Sequence, residues 1–587
     1  MVSRIAAGGA LSSAAPYAEP LPRRQVGVDA LRRGLAWLEN VKPWRVLSVL
    51  LVVEWLTILG VALTVQRNGW IYYQGGDQLW HYDASWLIGQ GRLTHTSVGY
   101  GWSIILLPFA LIGGPNLVSA LPGILLFNVL ILMPIAFVSM YGIGERIGGR
   151  LFGYWTALLW IVVPLLGINY ADVGYHQRYT ELLLPQSFGL SVMSDFPSMV
   201  VLAAAAYFTL RAAQDDAPID GIVAGLLAGV ALGIKPSNAP FLAGAGLALL
   251  IARRRRGIFA FGLGLVPGVL ALVVWKARGE GQVPLFSSAP VSRLALGAHE
   301  HIVGLAGLNL HRYIGFDWNW FDVQQLQSLD GHFWSLRVLE WLAFGGTIGL
   351  LRKSRPAGLL FAGWFFANIF VKWGSSSHGS TVDNSDILRQ SIFTIPAALA
   401  MISGVLLLFP GLPQRLSGRS GGPWGTHRLR VGLVAGIVAL FGVVPTALAL
   451  GLPTLKNSDL LTFYTQTGTH LSAPFNVESA WRAKVALRGG ETQVTWPRLH
   501  AIGGHMNYVV LRAPANDNIV CDVTGGGAQC RVNGTIVDYT KNGTSFREHP
   551  GRGDWVYWVG AKGSWIDDPT AGDMFVVSPP IHVSIKP

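Results

Sequence analysis

The sequence predicts an all-α polytopic membrane bundle followed by a small β-rich domain outside the membrane. Hydrophobic residues make up 51% of the 587 positions and charged residues only 13%, a composition typical of chains that cross a bilayer several times. Long apolar runs recur over residues 45–451, and short alternating segments replace them over residues 452–587. These patterns divide the chain into a tail at 1–44, a transmembrane domain and a terminal β domain.

The apolar runs predict about eleven transmembrane helices. A bilayer core ~30 Å thick takes about 20 apolar residues in a helix. Runs near that length lie at 45–65, 118–142, 151–169, 197–213, 218–234, 238–253, 257–276, 335–351, 357–372, 390–409 and 430–451. Residues 1–44 carry scattered arginines and no short apolar stretch with a small-residue cleavage site, so we interpret them as a cytosolic tail and not as a signal peptide.

The basic residues predict one orientation in the membrane. With the N-terminus in the cytosol, the loops that face the cytosol hold Arg146, Arg150, Arg211, Arg253 to Arg256, Arg352, Lys353, Arg355, Arg415, Arg419, Arg428 and Arg430. This is the positive-inside pattern, so the net charge of +12 does not indicate nucleic-acid binding. We expect a multi-pass protein of a bacterial inner membrane. Because the number of spans is odd, residues 452–587 should be periplasmic.

The segments TQVTW, NYVVLRA, NIVCDV and WVYWVG predict the strands of the terminal domain, since they alternate in polarity and are separated by turn residues. Cys521 and Cys530 both fall here, and we expect a disulfide that closes a hairpin-like loop in an oxidising compartment. Trp555, Trp558 and Trp565 are either core residues or platforms on which sugar rings stack.

Polar residues gather in the predicted external loops. Asp77 follows the first span, and the stretch LWHYDASWLIGQG after it predicts a short interfacial helix. The next apolar piece, GWSIILLPFALIGG, is too short to span, so we expect it to lie on or dip into the outer leaflet. Asp195 directly precedes the fourth span, Lys235 follows the fifth and Arg389 precedes a late span.

The order of these elements resembles the GT-C superfamily of membrane glycosyltransferases, which includes protein O-mannosyltransferases, aminoarabinose transferases and mycobacterial arabinofuranosyltransferases. GGDQLWHYDASWLIGQG occupies the place of the family's first-loop acidic motif and juxtamembrane helix, and GERIGGRLFGYWTALLWIVVPLLG that of its cytosolic turn. Asp195-Phe-Pro197 matches the Asp-x-Pro that opens a fourth span. GLLAGVALGIKPSNAP matches a glycine-rich span ending in Lys-Pro, and Arg389 to Pro396 matches a late span. The resemblance covers about residues 45–410.

Two positions depart from the family pattern. Gln78 stands where many relatives have Glu, so Asp77 is the acid at the motif position unless Asp83 replaces it. Gly99 to Trp102 replaces a frequent Glu-Lys-Pro-Pro, which leaves Lys235 and Arg389 as the cations for a phosphate.

The resemblance implies an inverting glycosyltransferase that moves a sugar from a polyprenyl-phosphate donor to a hydroxyl of a glycan, lipid or protein at the outer face of the membrane. Cell-envelope glycan synthesis, with arabinofuranosyl transfer as one option, is the expected setting. Asp77 would be the base and Asp195 would orient the acceptor or share that role. Arg389 and Lys235 would stabilise the leaving phosphate. Further candidate substrate contacts are His81, Tyr82, Asp83, Tyr100, His176 and Arg178.

Other interpretations remain open at this level. Asp77 could shape a turn, Asp195 could cap a helix, Lys235 could lie in a turn with its side chain at the interface, and Arg389 could pair with Asp386. A lipid-sugar flippase or transporter would place its acids inside the spans, where Glu54 is nearly alone, and a non-catalytic scaffold of polysaccharide assembly is a third possibility. No metal site is predicted; a divalent cation is left open because some relatives use one.

Overall fold

The computed structural model describes residues 33–64, 77–93, 99–114, 117–170, 189–279, 337–373, 392–409, 411–412, 426–453, 460–465, 470–474, 481–499, 506–515, 520–522, 529–563, 574 and 576–586. Seven residues singled out from the sequence lie outside these ranges: His176, Arg178, Asp386, Arg389, Arg415, Arg419 and Trp565. For Asp77, Asp83, Cys521 and Cys530 the backbone alone is described.

Helices occupy most of the predicted transmembrane domain. They are α1 Pro43–Thr64, α2 Asp77–Gly89, α3 Gly101–Gly113, α4 Leu117–Phe127, α5 Met133–Gly148, α6 Arg150–Tyr170, α7 Asp195–Asp215, α8 Pro218–Ile234, α9 Pro240–Ile251, α10 Arg255–Gly279, α11 Arg337–Lys353, α12 Arg355–Trp373, α13 Ile395–Ser403, α14 His427–Val438 and α15 Val444–Gly451. Short π-helical segments join α4 to α5 and α14 to α15. The short helix predicted after Asp77 is confirmed as α2, and the predicted short apolar piece is α3.

Within the described residues, five helices are long and apolar enough to cross a membrane: Pro43–Gly60, Ser119–Gly148, Asp195–Asp215, Arg255–Arg278 and His427–Gly451. Other apolar helices are shorter, among them α3, α8 and the 3-10-extended stretch Pro236–Ile251. The mostly helical membrane architecture is therefore confirmed, and the count of eleven spans stays a prediction.

Glycines let α8 and α10 pack with their backbones in contact. A Cβ built on Gly225 would meet the carbonyl of Phe261, and one on Gly268 would meet the backbone of Gly229. Higher-numbered positions of α8 face higher-numbered positions of α10, so the two helices run in the same direction. Small residues of this kind favour close helix contact in membranes, where packing rather than water exclusion drives association.

Ion pairs collect at one end of the bundle. Asp220, fully buried at the start of α8, accepts from Arg211 at 3.1 Å and from Arg430 at 3.0 Å. Beside it, Arg146 pairs with Asp215 at the end of α7. Three arginines of the predicted cytosolic face, Arg146, Arg211 and Arg430, thus form an arginine cluster. Helices rise 1.5 Å per residue, so the start of α7 is about 30 Å away along the helix axis.

Two sheets form the C-terminal β region, which confirms the predicted change of character. The strands are β1 Leu460–Thr465, β2 His470–Pro474, β3 Lys484–Arg488, β4 Glu491–Thr495, β5 Met506–Pro514, β6 Val520–Asp522, β7 Gln529–Lys541, β8 Ser545–Glu548, β9 Gly553–Gly563, β10 Val576–Val577 and β11 Ile581–Ile585. The larger sheet has the order β10-β9-β5-β7-β1-β2, with β11 on β9 and β6 on β7, and the smaller is β3-β4-β8. All pairs are antiparallel except β1 with β7.

Two tryptophans of β9, Trp555 and Trp558, pack against neighbouring side chains. Trp558 is 2% exposed in a core with Val509, Leu511 and Met574, which contradicts its candidacy as a sugar platform. The guanidinium of Arg512 lies 4.6 Å from the ring centroid of Trp555 and covers one face of that ring. The strand prediction around the cysteines is confirmed, since Cys521 and Cys530 are Cα partners in the β6–β7 ladder. The disulfide itself stays a prediction.

Candidate functional site

Asp195 and Lys235 form an ion pair at the end of the bundle opposite the arginine cluster. Asp195 is the first residue of α7 and Lys235 directly follows α8. The two helices are joined by Asp216 and Ala217 alone, so they fold back on each other as an antiparallel hairpin and bring these residues to one end. Lys235 Nζ lies 2.7 Å from Asp195 Oδ1. The Asp195 side chain is 1% exposed and that of Lys235 is 12% exposed.

The start of α7 suits a carboxylate. The N-cap is Ser194 and not Asp195, so the interpretation of Asp195 as the cap is wrong. As the first helical residue, Asp195 sits where the unpaired N–H groups of the helix carry partial positive charge. Helix end and ammonium together compensate a charge that burial alone would make costly.

The turn after α8 fixes the backbone of Lys235. Pro236–Asn238 forms a single 3-10 turn, and Asn238 Nδ2 donates to Ala231 O at 2.7 Å. The predicted turn is therefore present. The lysine ammonium is directed at Asp195.

The segment Gly99 to Trp102 packs against the end of α8. Gly99 N donates to Ile234 O at 3.2 Å, and a Cβ on Gly99 would clash with Gly233 O. Glycine is therefore required where the segment approaches the backbone next to Lys235. Gly99 to Trp102 carry no charged side chain and pack tightly against the end of α8.

Tyr100 lies inside this packing and not on an open surface. Its side chain is fully buried, and its hydroxyl donates to Phe441 O at 2.6 Å. Burial raises the pKa of the Tyr100 hydroxyl, so the group stays protonated and remains a donor. The geometry gives Tyr100 a structural role and lends no support to the predicted substrate contact.

Helix α2 carries Asp77 at its first position and is attached to the segment that precedes Asp195. Gln78 Oε1 accepts from Val192 N at 2.8 Å, and the Gln78 side chain is 2% exposed. Asp77 is the neighbour of Gln78 and Asp195 is three residues from Val192, so the two predicted acids lie on backbone segments that meet. Whether Asp77 is the base stays a prediction.

Two other predicted contacts on α2 face inward. His81 is 1% exposed and Tyr82 is fully buried. Tyr82 hydroxyl donates to Gly114 O at 2.7 Å, at the end of α3. Tyr82 thus ties the two short helices together, and its predicted substrate contact has no support from this arrangement.

Residues that sequence reasoning missed hold the turn before Asp195. Trp102 Nε1 donates to Val192 O at 2.8 Å, and Asn128 Nδ2 donates to Ser191 O at 3.0 Å. Both side chains are fully buried. One signal was available for Asn128, which is the polar residue in the apolar run ILLFNVLILM. For Gln78 the sequence offers one signal, its departure from the acidic motif of the GT-C superfamily.

No group of three or more His, Cys, Asp or Glu side chains that could hold a metal ion occurs among the described residues. Glu54, the acid in the middle of α1, is 1% exposed and accepts from Trp160 Nε1 at 2.6 Å. A mid-span carboxyl held by an indole packs two helices together, away from the Asp195–Lys235 pair.

Comparison with known proteins supports the resemblance. Residues 181–276 match the family described as dolichyl-phosphate-mannose-protein mannosyltransferase, a GT-C-type membrane glycosyltransferase domain. The predicted likeness to the GT-C superfamily is thereby confirmed. The matched stretch contains α7, α8 and both members of the ion pair. It supports a membrane glycosyltransferase that uses a lipid-linked sugar. No curated protein matches the chain.

Proposed function

We propose that this protein is an inverting glycosyltransferase that moves a sugar from polyprenyl phosphate to a hydroxyl acceptor at the outer face of a bacterial inner membrane. The observation that carries the proposal is the Asp195–Lys235 pair, which places a carboxylate and a cation together within the family-matched segment. The arginine cluster lies at the far end of the same helices. By the positive-inside rule that end is cytosolic, so the pair faces outward.

The chemistry needs a base on one side of the anomeric carbon and a cation on the other. Asp77 takes the proton of the acceptor hydroxyl as the oxygen attacks the anomeric carbon. The bond from that carbon to the phosphate oxygen breaks in the same displacement, which inverts the configuration through an oxocarbenium-like state. Assistance by a general base contributes about 10²–10⁴-fold. Asp195 orients the acceptor or shares the role of base.

In the proposal the Lys235 ammonium contacts both Asp195 and the departing polyprenyl phosphate. An ammonium has three N–H donors, and one of them is used on Asp195. In the proposal the others contact the departing phosphate, whose negative charge grows as the sugar leaves. Arg389 would add bidentate contacts to the same phosphate. Lys235 retains 12% exposure, so a ligand can reach it.

The terminal domain completes the proposal. We place residues 452–587 in the periplasm with a Cys521–Cys530 disulfide. Support comes from the antiparallel ladder in which the two residues are direct partners, since directly opposed strand positions bring Cβ atoms within the range that a disulfide needs.

The test is sugar transfer by the purified protein in lipid nanodiscs. Polyprenyl-phosphate mannose and polyprenyl-phosphate arabinofuranose are supplied with hydroxyl acceptors, and the anomeric configuration of the product is read by NMR. Asp77→Asn keeps the size of the side chain but cannot take the proton, so transfer should fall at least ~10²-fold while donor binding persists. Asp216→Asn, at the arginine-rich end and 41% exposed, is the matched control and should be unchanged.

Two results would count against the proposal. Normal turnover in the Asp77→Asn variant would remove Asp77 as the base. If the wild type transfers no sugar from any donor but moves a lipid-linked sugar across the bilayer, the flippase would be favoured. If it does neither, the scaffold would be favoured.

A further inference from the structure

The turn that leads into α7 is held by three buried side chains from three different elements. Ser191 O accepts from Asn128, Val192 O accepts from Trp102, and Val192 N donates to Gln78 Oε1. Each of these three side chains is at most 2% exposed. A segment without regular structure is thus fixed at successive backbone groups immediately before Asp195. These three bonds fix the backbone that places Asp195 at the start of α7.

We propose that Gln78 is a positioning residue, which sets the distance between the start of α2 and the start of α7 through its bond to Val192. The inference rests on the proposed function. Among the three supports, Gln78 is special because it is the neighbour of Asp77. Its hydrogen bond with Val192 therefore links the segment that carries the proposed base to the segment that carries Asp195.

An amide suits this place for an electrostatic reason. Gln78 Oε1 accepts the Val192 N–H without bringing a charge into a nearly water-free site. A carboxylate would accept the same bond, but it would add negative charge beside Asp77 and Asp195. The other titratable residues on α2 are His81, Tyr82 and Asp83. Lys235, after α8, is already paired with Asp195. Like charges disfavour each other's ionised form.

Loss of the bond should act on the chemical step. Reacting groups must be held in a near-attack geometry, and a displacement of 1 Å can cost ~10²-fold in rate. In the proposal the donor phosphate is bound by Lys235 and Arg389 and not by Gln78. Removing the Gln78 acceptor should therefore lower kcat while leaving KM for the donor nearly unchanged.

Two variants of Gln78 and one control separate positioning from simple stability. Gln78→Met keeps the length of the side chain but has no strong acceptor, and kcat should fall at least ~10-fold. Gln78→Glu restores the acceptor, so activity should return at high pH, with the acid limb of the kcat/KM profile moved up by on the order of one pH unit. Gln214→Met, at the arginine-rich end where Gln214 Nε2 donates to Arg146 O, should leave both kcat and the pH profile unchanged.

The variants are assayed in nanodiscs with whichever polyprenyl-phosphate sugar the wild type uses, and unfolding midpoints are recorded for each. Unchanged kcat in Gln78→Met, an unshifted pH profile in Gln78→Glu, or equal losses in Gln78→Met and Gln214→Met would each overturn the positioning role while leaving glycosyl transfer intact. Absence of transfer by the wild type would instead overturn the proposed function and this inference with it.

Discussion

Removal of both partners of the Asp195–Lys235 pair should cost less than the sum of the two single removals. At the observed 2.7 Å and an effective dielectric constant of about 20, the direct attraction is about 6 kcal/mol. Much of that offsets the desolvation of two buried groups. The loss of one partner leaves the other charge uncompensated, which typically costs about 3–5 kcal/mol.

A double-mutant cycle measures this coupling. Lys235→Met keeps an unbranched side chain of similar size without the charge, and Asp195→Asn keeps the shape of the carboxylate. The free energy of unfolding of the two single variants and the double variant is measured in mixed micelles by chemical denaturation. We expect the double variant to be at least ~2 kcal/mol more stable than the sum of the two single losses predicts, because neither charge is then left alone. Arg254→Met, whose partner Asp216 is 41% exposed, is the control and should change stability by less than ~1 kcal/mol.

The reasoning would be refuted by additivity. If the two losses sum within ~0.5 kcal/mol, the ammonium and the carboxylate do not stabilise each other, and the pair could not hold Asp195 charged for a reaction. A smaller loss in Lys235→Met than in the Arg254→Met control would have the same meaning.

Three further predictions concern other parts of the chain. A thiol-reactive probe that cannot cross membranes should label Cys521 and Cys530 only after reduction. Labelling without reductant would exclude the disulfide, and labelling only after permeabilisation would exclude the predicted orientation. Arg389→Ala should weaken both polyprenyl-phosphate binding and rate, with partial rescue by Arg389→Lys because lysine lacks the planar fork; unchanged binding would remove Arg389 from the phosphate site. Burial raises the pKa of Asp538, so its contribution to stability is full below its unfolded pKa and is lost as pH rises through the folded one. Asp538→Asn should therefore raise the unfolding midpoint at pH 7, with a gain that shrinks towards about pH 3, and a gain independent of pH would contradict this.

The helices could be predicted well because a membrane makes the signal local. The run 218–234 coincides with α8, and the run 197–213 lies within α7. Each needed only a stretch of apolar residues bounded by polar ones. Candidate residues at helix ends, such as Asp195 and Lys235, could be found for the same reason.

Contacts between elements could not be predicted in this way. Lys235 pairs with Asp195, 40 positions earlier, and no local pattern in the sequence predicts that pairing. Gln78 and Val192 are 114 positions apart, and no local pattern reports their hydrogen bond. Tyr100 belongs to a segment that the sequence predicts to be external, and α8, α10 and the segment around Phe441 bury it. Pairings of this kind depend on how helices are arranged, which composition and periodicity leave open.

The glycine contacts between α8 and α10 have a mechanical consequence. Because their backbones are in contact, the two helices should move as one rigid unit. Lys235 lies at one end of this helix pair. Near the same end, Arg278 Nε donates to Ala449 O of α15 at 3.1 Å. If a bound phosphate displaced Lys235, α8 and α10 would therefore move together, and α15, the last helix before the β region, would move with them.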